Sequence, residues 1–436
     1  MRTRLHLTVW GINYAPEATG IAPYNAGLCE FLAARGHDVQ MLTTFAYYPQ
    51  WRKAAADQGW FWRTDLMNAI PVHRCWHYVP AAGRVTTARR VWHELTFGIT
   101  SALRALALPR ADVWVVVSPP LALGFFAWLV TAVRGGKIVF HVQDLQPDAA
   151  VGLGMVQRGA FTRALYALEK FAYAKAARVA GISDGMLRAF AAKGVPAGKR
   201  VYFPNWIATE ARATARAVAK NNGPSVAMDA RVRHGVAAGA LLAFYSGNLG
   251  RKQGLEVLVG AAARLAADDN AAARETVIVI AGDGAARAEL AQKIAAADLD
   301  NIRLLPLLDD ADYRALLAAA DVCLITQAAG TGQFFFPSKL LAALSAGRPV
   351  LAVADSDSEL AHAVANGGFG AVTPAGDAPA LAARLRALAA DPTPLREWAE
   401  RTSWVERFAA PRVLGAFATE LENLAGAAGR GHNGDI

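Results

Sequence analysis

The sequence predicts an α/β protein of two doubly wound domains, and three observations carry that expectation. Short apolar runs rich in Val, Ile and Leu alternate with longer Ala-rich helical patterns, and the chain passes through this arrangement twice. The runs lack period-two alternation, so each strand is expected to be buried on both faces, as in a parallel sheet covered by helices. The 436 residues exceed what one small domain holds, while 54% hydrophobic and 19% charged residues exclude a mainly disordered chain.

In the first half, strands are expected at Leu5–Trp10, Asp38–Thr44, Val113–Ser118, Ile138–Val142 and Val179–Ile182. The run Leu121–Val133 is short of the roughly 20 residues of a spanning helix, so it reads as a buried helix, with a membrane-dipping segment as the alternative. Residues 209–238, with Asn221-Asn222-Gly223-Pro224 and little apolar periodicity, are expected to form a linker between domains 1–208 and 239–394. The second half offers strands at Leu241–Ser246, Thr276–Ala281, Ile302–Pro306, Val322–Thr326 and Val350–Ala354, with helices such as Leu255–Ala267 and Tyr313–Ala320 between them. A helix over 395–424 and a glycine-rich tail over 425–436 close the chain.

Charge divides with the fold. Through Ala208 there are 23 Lys and Arg against 11 Asp and Glu, a net +12, whereas the remainder nets −3, so the halves are expected to meet different partners. The basic half interleaves Arg52, Lys53, Arg63, Arg84, Arg89, Arg90 and Arg104 with Trp51, Trp60, Trp62, Trp76 and Trp92. That mixture suits an anionic membrane surface, unless the tryptophans are core and the arginines solvated. No nucleic-acid motif occurs, so nucleic acid is not an expected partner. Cys29, Cys75 and Cys323 stand far apart, which argues against a disulfide framework or structural zinc and fits a reducing, cytoplasmic compartment. The N-terminus runs straight into a strand-like segment without a signal-peptide pattern.

Ligands of doubly wound sheets bind beyond the carboxyl ends of the strands, and two such domains face to face would enclose a central cleft. The residues to weigh therefore follow strands. After the first comes Gly11-Ile12-Asn13-Tyr14-Ala15-Pro16-Glu17-Ala18-Thr19-Gly20, which is no GxGxxG fingerprint; Gly20 opens a helix whose N-terminus faces an anion or is an ordinary turn. The fourth ends in His141-Val142-Gln143-Asp144-Leu145-Gln146-Pro147-Asp148, where a histidine near carboxylates orients a sugar, moves a proton, or is simply structural. Ser246-Gly247-Asn248-Leu249-Gly250-Arg251-Lys252-Gln253-Gly254 puts adjacent cations among glycines, as a diphosphate requires, although a solvated basic turn has the same look. Ala281-Gly282-Asp283-Gly284 closes the next strand. Phe336-Pro337-Ser338-Lys339-Leu340 starts a helix with an added lysine, an anion site or a plain cap. Asp355-Ser356-Asp357 matches a metal-holding DxD only formally, and no metal is expected. No HExxH and no paired nucleophile–base signature occurs, which argues against a hydrolase.

In this order and spacing the motifs resemble the retaining GT-B glycosyltransferases of family four, in the capsule and exopolysaccharide branch that includes the colanic-acid fucosyltransferase type. Tyr47-Tyr48-Pro49-Gln50-Trp51 and Phe203-Pro204-Asn205-Trp206 join the set, which covers nearly the whole chain. The resemblance implies two Rossmann-like domains, with a GDP- or UDP-sugar donor as substrate and no cofactor. It implies that Gly20 approaches the diphosphate, that His141 is the catalytic-side contact to the donor sugar, and that Asn248, Arg251, Lys252, Asp283, Ser338, Lys339 and Leu340 bind the donor. Glu17 and Asp144 are candidates on the acceptor side, the acceptor being a lipid-linked saccharide of a bacterial surface polysaccharide. The enzyme would then sit peripherally on the inner face of the cytoplasmic membrane. The chain departs from the wider family in having Asn248 for an arginine, Gln253 for a lysine, and Phe334 and Ala342 where two glutamates stand. The rival expectations are a nucleotide-sugar 2-epimerase of the same fold and a non-catalytic binding protein.

Overall fold

Each half of the chain folds around its own parallel sheet. The computed structural model describes residues 4–17, 20–81, 86–152, 159–207, 223–332 and 338–429. These divide into two units: the described residues through Asn205 with those from Pro411 onward, and Trp206 to Ala410.

The first unit holds β1 (His6–Trp10), β2 (Asp38–Thr44), β3 (Trp62–Met67), β4 (Ile70–Cys75), β5 (Val113–Ser118), β6 (Lys137–Val142), β7 (Arg178–Gly181) and β8 (Arg200–Tyr202). Their order is β3-β4-β2-β1-β5-β6-β7-β8, parallel throughout except for β3 against β4. Every residue of β5 is buried, as its unbroken apolar run requires. The direction of strand addition reverses beside β1, with β2 on one side and β5 on the other, so the loops after β1 and β5 flank a switch point.

The hairpin β3–β4 is absent from the sequence expectation. Its turn uses Asn68 and Ala69, both at positive φ (48° and 63°), without the glycine or proline that normally announces such a turn. Strand β3 carries Arg63 and Asp65 and lies at the sheet edge, where charge discourages further pairing.

The helix expected to be buried at Leu121–Val133 is only half so. In Leu123–Arg134 one face, with Leu123, Ala127 and Val130, is buried, while Phe125, Leu129 and Val133 recur at four-residue spacing on an exposed face, Val133 at 70% exposure. An apolar run shows no periodicity from which to see that its two faces differ.

The second unit contains β9 (Leu242–Ser246), β10 (Val277–Ala281), β11 (Ile302–Leu305), β12 (Val322–Thr326), β13 (Val350–Val353) and β14 (Gly370–Thr373), all parallel, in the order β11-β10-β9-β12-β13-β14. Leu242 and Phe244 enter one core cluster and Ala243 and Tyr245 the other, so β9 is buried on both faces. Its switch point lies between β9 and β12.

Part of the range read as a linker belongs to this unit. Helix Gly223–Arg233 buries Ala230, and the Arg231 guanidinium donates to the carbonyls of Ala319 and Ala240 and to the Asp321 carboxylate at 2.6 Å. Residues 208–222 lie outside the described set. The chain also leaves the second unit later than Leu395, which is buried there with Val405 and Phe408. The return is made by helix Ala410–Gly429, whose Phe417 stacks on Phe203 at 3.7 Å and whose Glu422 accepts from Arg35 at 2.7 Å. The spacing of residues 395–408 is helical too, so periodicity alone could not tell which unit they join.

Candidate functional site

Three loops of the second unit meet beyond the ends of β9, β10 and β12. After β9, Gly247 adopts φ 130°, and its N–H donates to the Ala281 carbonyl at 3.0 Å. The Leu249 N–H donates to the Asp283 carbonyl and the Ala286 N–H to the Leu249 carbonyl, both at 2.8 Å, which ties the β9 and β10 loops together. The approach is so close that a β-carbon on Gly282 would fall 1.9 Å from the Gly247 carbonyl oxygen, and one on Gly284 2.5 Å from Asn248 Oδ1. A short 3₁₀ turn, Arg251–Gln253, ends in Gly254 at φ 59°. Here the β12 loop joins: the Ala328 N–H donates to the Lys252 carbonyl at 2.9 Å, and Gly254 packs against the Ala328 backbone.

Helix Ser338–Ser345 brings Lys339 into this junction. Its ammonium lies 3.9 Å from the Tyr245 ring centroid, donates to the Tyr245 hydroxyl, and lies 3.4 Å from Gln253 Oε1. The Tyr245 hydroxyl in turn donates to the Asn248 carbonyl at 3.0 Å. Burial, with Lys252 nearby, depresses the Lys339 pKa to about 7. A recessed cation without a carboxylate partner among the described residues, beside glycine turns at a sheet switch point, is chemically suited to an anionic ligand.

Of the expected donor-site residues, Asn248, Lys252, Asp283 and Lys339 thus come together, with Arg251 in the same turn. Arg251, Asn248 and Asp283 are exposed, and Asp283 Oδ1 accepts from the Gly284 N–H at 2.8 Å. Leu340 differs from the expectation: it is fully buried in the core, where it anchors the helix, so its side chain is not offered to a ligand. Ser338 begins the helix; Pro337, expected to precede it, and Phe334 lie outside the described residues. Gly247 lies in the glycine-rich motif expected to face a diphosphate, whereas Tyr245 carries no expected role, since a tyrosine near the end of a buried strand reads as core.

In the first unit the expected residues scatter. Gly20, at φ 66°, precedes helix Ala22–Ala34; Ala18 and Thr19 lie outside the described residues. Glu17 is buried, and its Oε1 accepts from the Tyr47 and Tyr48 N–H groups at 2.8 and 2.9 Å while Oε2 accepts from Asn13 at 2.7 Å. It holds the loop after β2 in place, and burial raises its pKa above the usual carboxylate value. His141 is 2% exposed, packed 4.7 Å from the Phe203 ring, with Nε2 2.7 Å from the Gln143 amide nitrogen. Burial lowers its pKa to about 3, so the ring is neutral and suited to hydrogen bonding rather than proton storage. The nearby carboxylate Asp148 is engaged by Lys193. Asp144 is half-buried, and its carbonyl accepts from the Gln146 N–H at 2.9 Å.

Comparison with known proteins decides the family. Residues 19–206 match the family described as Glycosyl transferase 4-like domain, and residues 240–391 match Glycosyl transferases group 1. WcaI of Escherichia coli (strain K12), assigned to colanic acid biosynthesis as a glycosyl transferase, is 31% identical over 407 residues, 91% of this chain and 96% of WcaI. The chain belongs to the family-four glycosyltransferases. Solved structures agree on the transferase's fold, which is GT-B. Sucrose-phosphate synthase from Thermosynechococcus elongatus superposes with a TM-score of 0.71 at 18% identity, covering 97% of this chain and 100% of that one. Anabaena HepE in complex with UDP-glucose gives 0.67 at 16% identity, covering 96% and 100%. The transferase has no helix, among its described residues, long and apolar enough to cross a membrane.

Proposed function

We propose that this transferase moves a sugar from a nucleoside-diphosphate sugar, GDP- or UDP-linked, to a lipid-linked saccharide during assembly of a bacterial surface polysaccharide, with retention at the anomeric carbon. The observation that carries the proposal is the meeting of Lys339 and the Lys252 turn at the β9–β12 switch point. As the glycosidic bond of the donor breaks, negative charge grows on the leaving diphosphate. Lys339, Lys252, the glycine-rich turn and the N-terminus of helix Ser338–Ser345 oppose that charge from fixed positions. On a retaining path the acceptor enters on the face the diphosphate leaves, and a phosphate oxygen takes its proton. The named functions of WcaI and the UDP-glucose complex of HepE are consistent with this donor and product class.

The proposal includes metal independence. Asp355 Oδ2 accepts from the Gly330 N–H at 2.6 Å, a loop-shaping role, and the described residues contain no group of three or more His, Cys, Asp or Glu placed to hold a metal. Transfer of label from a nucleoside-diphosphate sugar to a lipid extract is therefore expected to persist in EDTA and in Asp355→Asn. Loss under chelation with recovery on adding manganese would contradict this; turnover of no donor at all would contradict the function.

The first unit supplies the membrane side of the proposal. Trp60, Phe61, Trp62 and Trp76 are exposed, as are Trp92, Ile99 and Leu103 on helix Thr87–Ala107 and the outer face of Leu123–Arg134. Exposed tryptophans together with Arg90 and Arg104, on the same helix as Trp92, fit an anionic interface, where each cation contributes roughly 1 kcal/mol. Flotation should show binding to anionic vesicles that falls with salt and with Trp92→Ser. Binding indifferent to lipid charge and salt would remove the membrane from the account.

A further inference from the structure

Beyond the strand ends of the first unit lies an aromatic cluster whose residues the donor chemistry does not use. Trp51 is a non-glycine residue in the left-handed region, φ 52°, a backbone conformation that costs energy and persists only where its surroundings enforce it. Its indole is half-buried against Tyr47 at 5.5 Å, Tyr48 at 6.3 Å and His93 at 5.6 Å. Tyr47 is itself pinned, its hydroxyl 3.0 Å from His93 Nε2. The next residue of that helix is Glu94. Among the described residues its carboxylate has one long hydrogen bond, from Gln146 Nε2 at 3.4 Å, and no ion pair. Gln146 is itself fixed by accepting from the Leu121 N–H at 2.6 Å. Glu94 is partly exposed at its residue surface while burial raises its carboxyl pKa to about 7, with Arg90 one turn earlier opposing the rise.

An under-satisfied carboxylate one residue along the helix from the histidine that packs on a rigid, half-exposed indole has the chemistry of carbohydrate recognition. The carboxylate accepts hydrogen bonds from neighbouring hydroxyls, and the ring face covers the C–H face of a pyranose. We propose that Glu94 and Trp51 form a subsite for a pyranose of the acceptor, with Glu94 accepting from two adjacent hydroxyls and Trp51 stacking beneath the ring. This rests on the transfer of a sugar to a saccharide acceptor. It makes Glu94 a substrate-binding residue that sets which hydroxyl pattern is accepted.

The test uses saturation-transfer NMR of the full chain with methyl pyranosides of gluco, galacto, manno and fuco configuration, and in parallel calorimetry with UDP and GDP. Wild type should bind at least one pyranoside. Glu94→Gln and Trp51→Asn should each weaken that binding about tenfold or more while leaving nucleoside-diphosphate affinity unchanged, and Glu94→Asp should recover part of it. Asparagine tolerates the left-handed conformation, so the turn survives without the indole. Pyranoside binding that is absent in wild type, or undiminished in both variants, overturns the subsite. Wild type that binds neither UDP nor GDP overturns the donor reading instead, and the two failures are read from separate titrations.

Discussion

Lys339→Ala is expected to weaken binding of the nucleoside diphosphate about ten- to a hundredfold, the worth of one charge-assisted contact to phosphate. Binding of the nucleoside alone should change far less, because the lysine has no part in holding a base. The effect also has a pH signature. The Lys339 pKa stands at about 7 in the free protein because burial and Lys252 disfavour its charge. A diphosphate favours the ammonium form, so binding above pH 7 must take up a proton. Affinity should therefore be highest below pH 7 and fall by at most about tenfold per unit above it. Lys339→Ala should flatten that alkaline fall, measured by calorimetry from pH 6 to 9. A wild-type slope retained in the variant would assign the titration to another group.

Gly282→Ala should have the largest structural effect. Its β-carbon would meet the Gly247 carbonyl oxygen at 1.9 Å, and its φ of 149° is a conformation that alanine avoids. Both obstacles are backbone, so no side-chain rotation relieves them. The β9 turn must move, and Gly247 itself packs 2.5 Å, in β-carbon terms, from Lys339 Cε. A cost of about 3 kcal/mol or more follows, which lowers the unfolding midpoint by roughly 6–12 °C for a unit of this size. The folded fraction should also bind diphosphate poorly, since the displaced turn carries Asn248 and Lys252. Gly239→Ala, with nothing within 4 Å of the added carbon, serves as the control and should leave both properties unchanged. Wild-type stability in Gly282→Ala would mean that the two loops are not in contact.

The parts of this molecule written as long one-kind patterns were legible in the sequence. Strands such as β5, β9 and β10 announce themselves because burial on both faces demands a continuous, mainly apolar run without polar alternation. Strands β8 and β14 have three and four residues and carry no such run, and the β3–β4 hairpin turns on Asn68-Ala69 rather than on glycine. The donor-side cations were legible because glycines around them mark a turn that brings backbone close to something. Tyr245 was not, because its ring belongs to the core and only its hydroxyl reaches Lys339. Glu17 and His141 stood out as chemistry-bearing residues after strands, yet the structure gives both buried partners, which spacing cannot reveal. Glu94 has the opposite character: an unremarkable position on a helix, with an environment made by Gln146 at the start of another helix, Gln146–Gly152.

The claim on which the account turns is that two lysines from separate segments of the second unit serve one diphosphate. Calorimetry of the nucleoside diphosphate against wild type, Lys252→Ala, Lys339→Ala and the double variant tests it most directly. The account predicts that each single variant loses about ten- to a hundredfold and that the double variant loses less than the product of the two, because the lysines share one ligand's charge. Wild-type affinity in Lys339→Ala, or losses that apply equally to the nucleoside without phosphates, would place the diphosphate elsewhere.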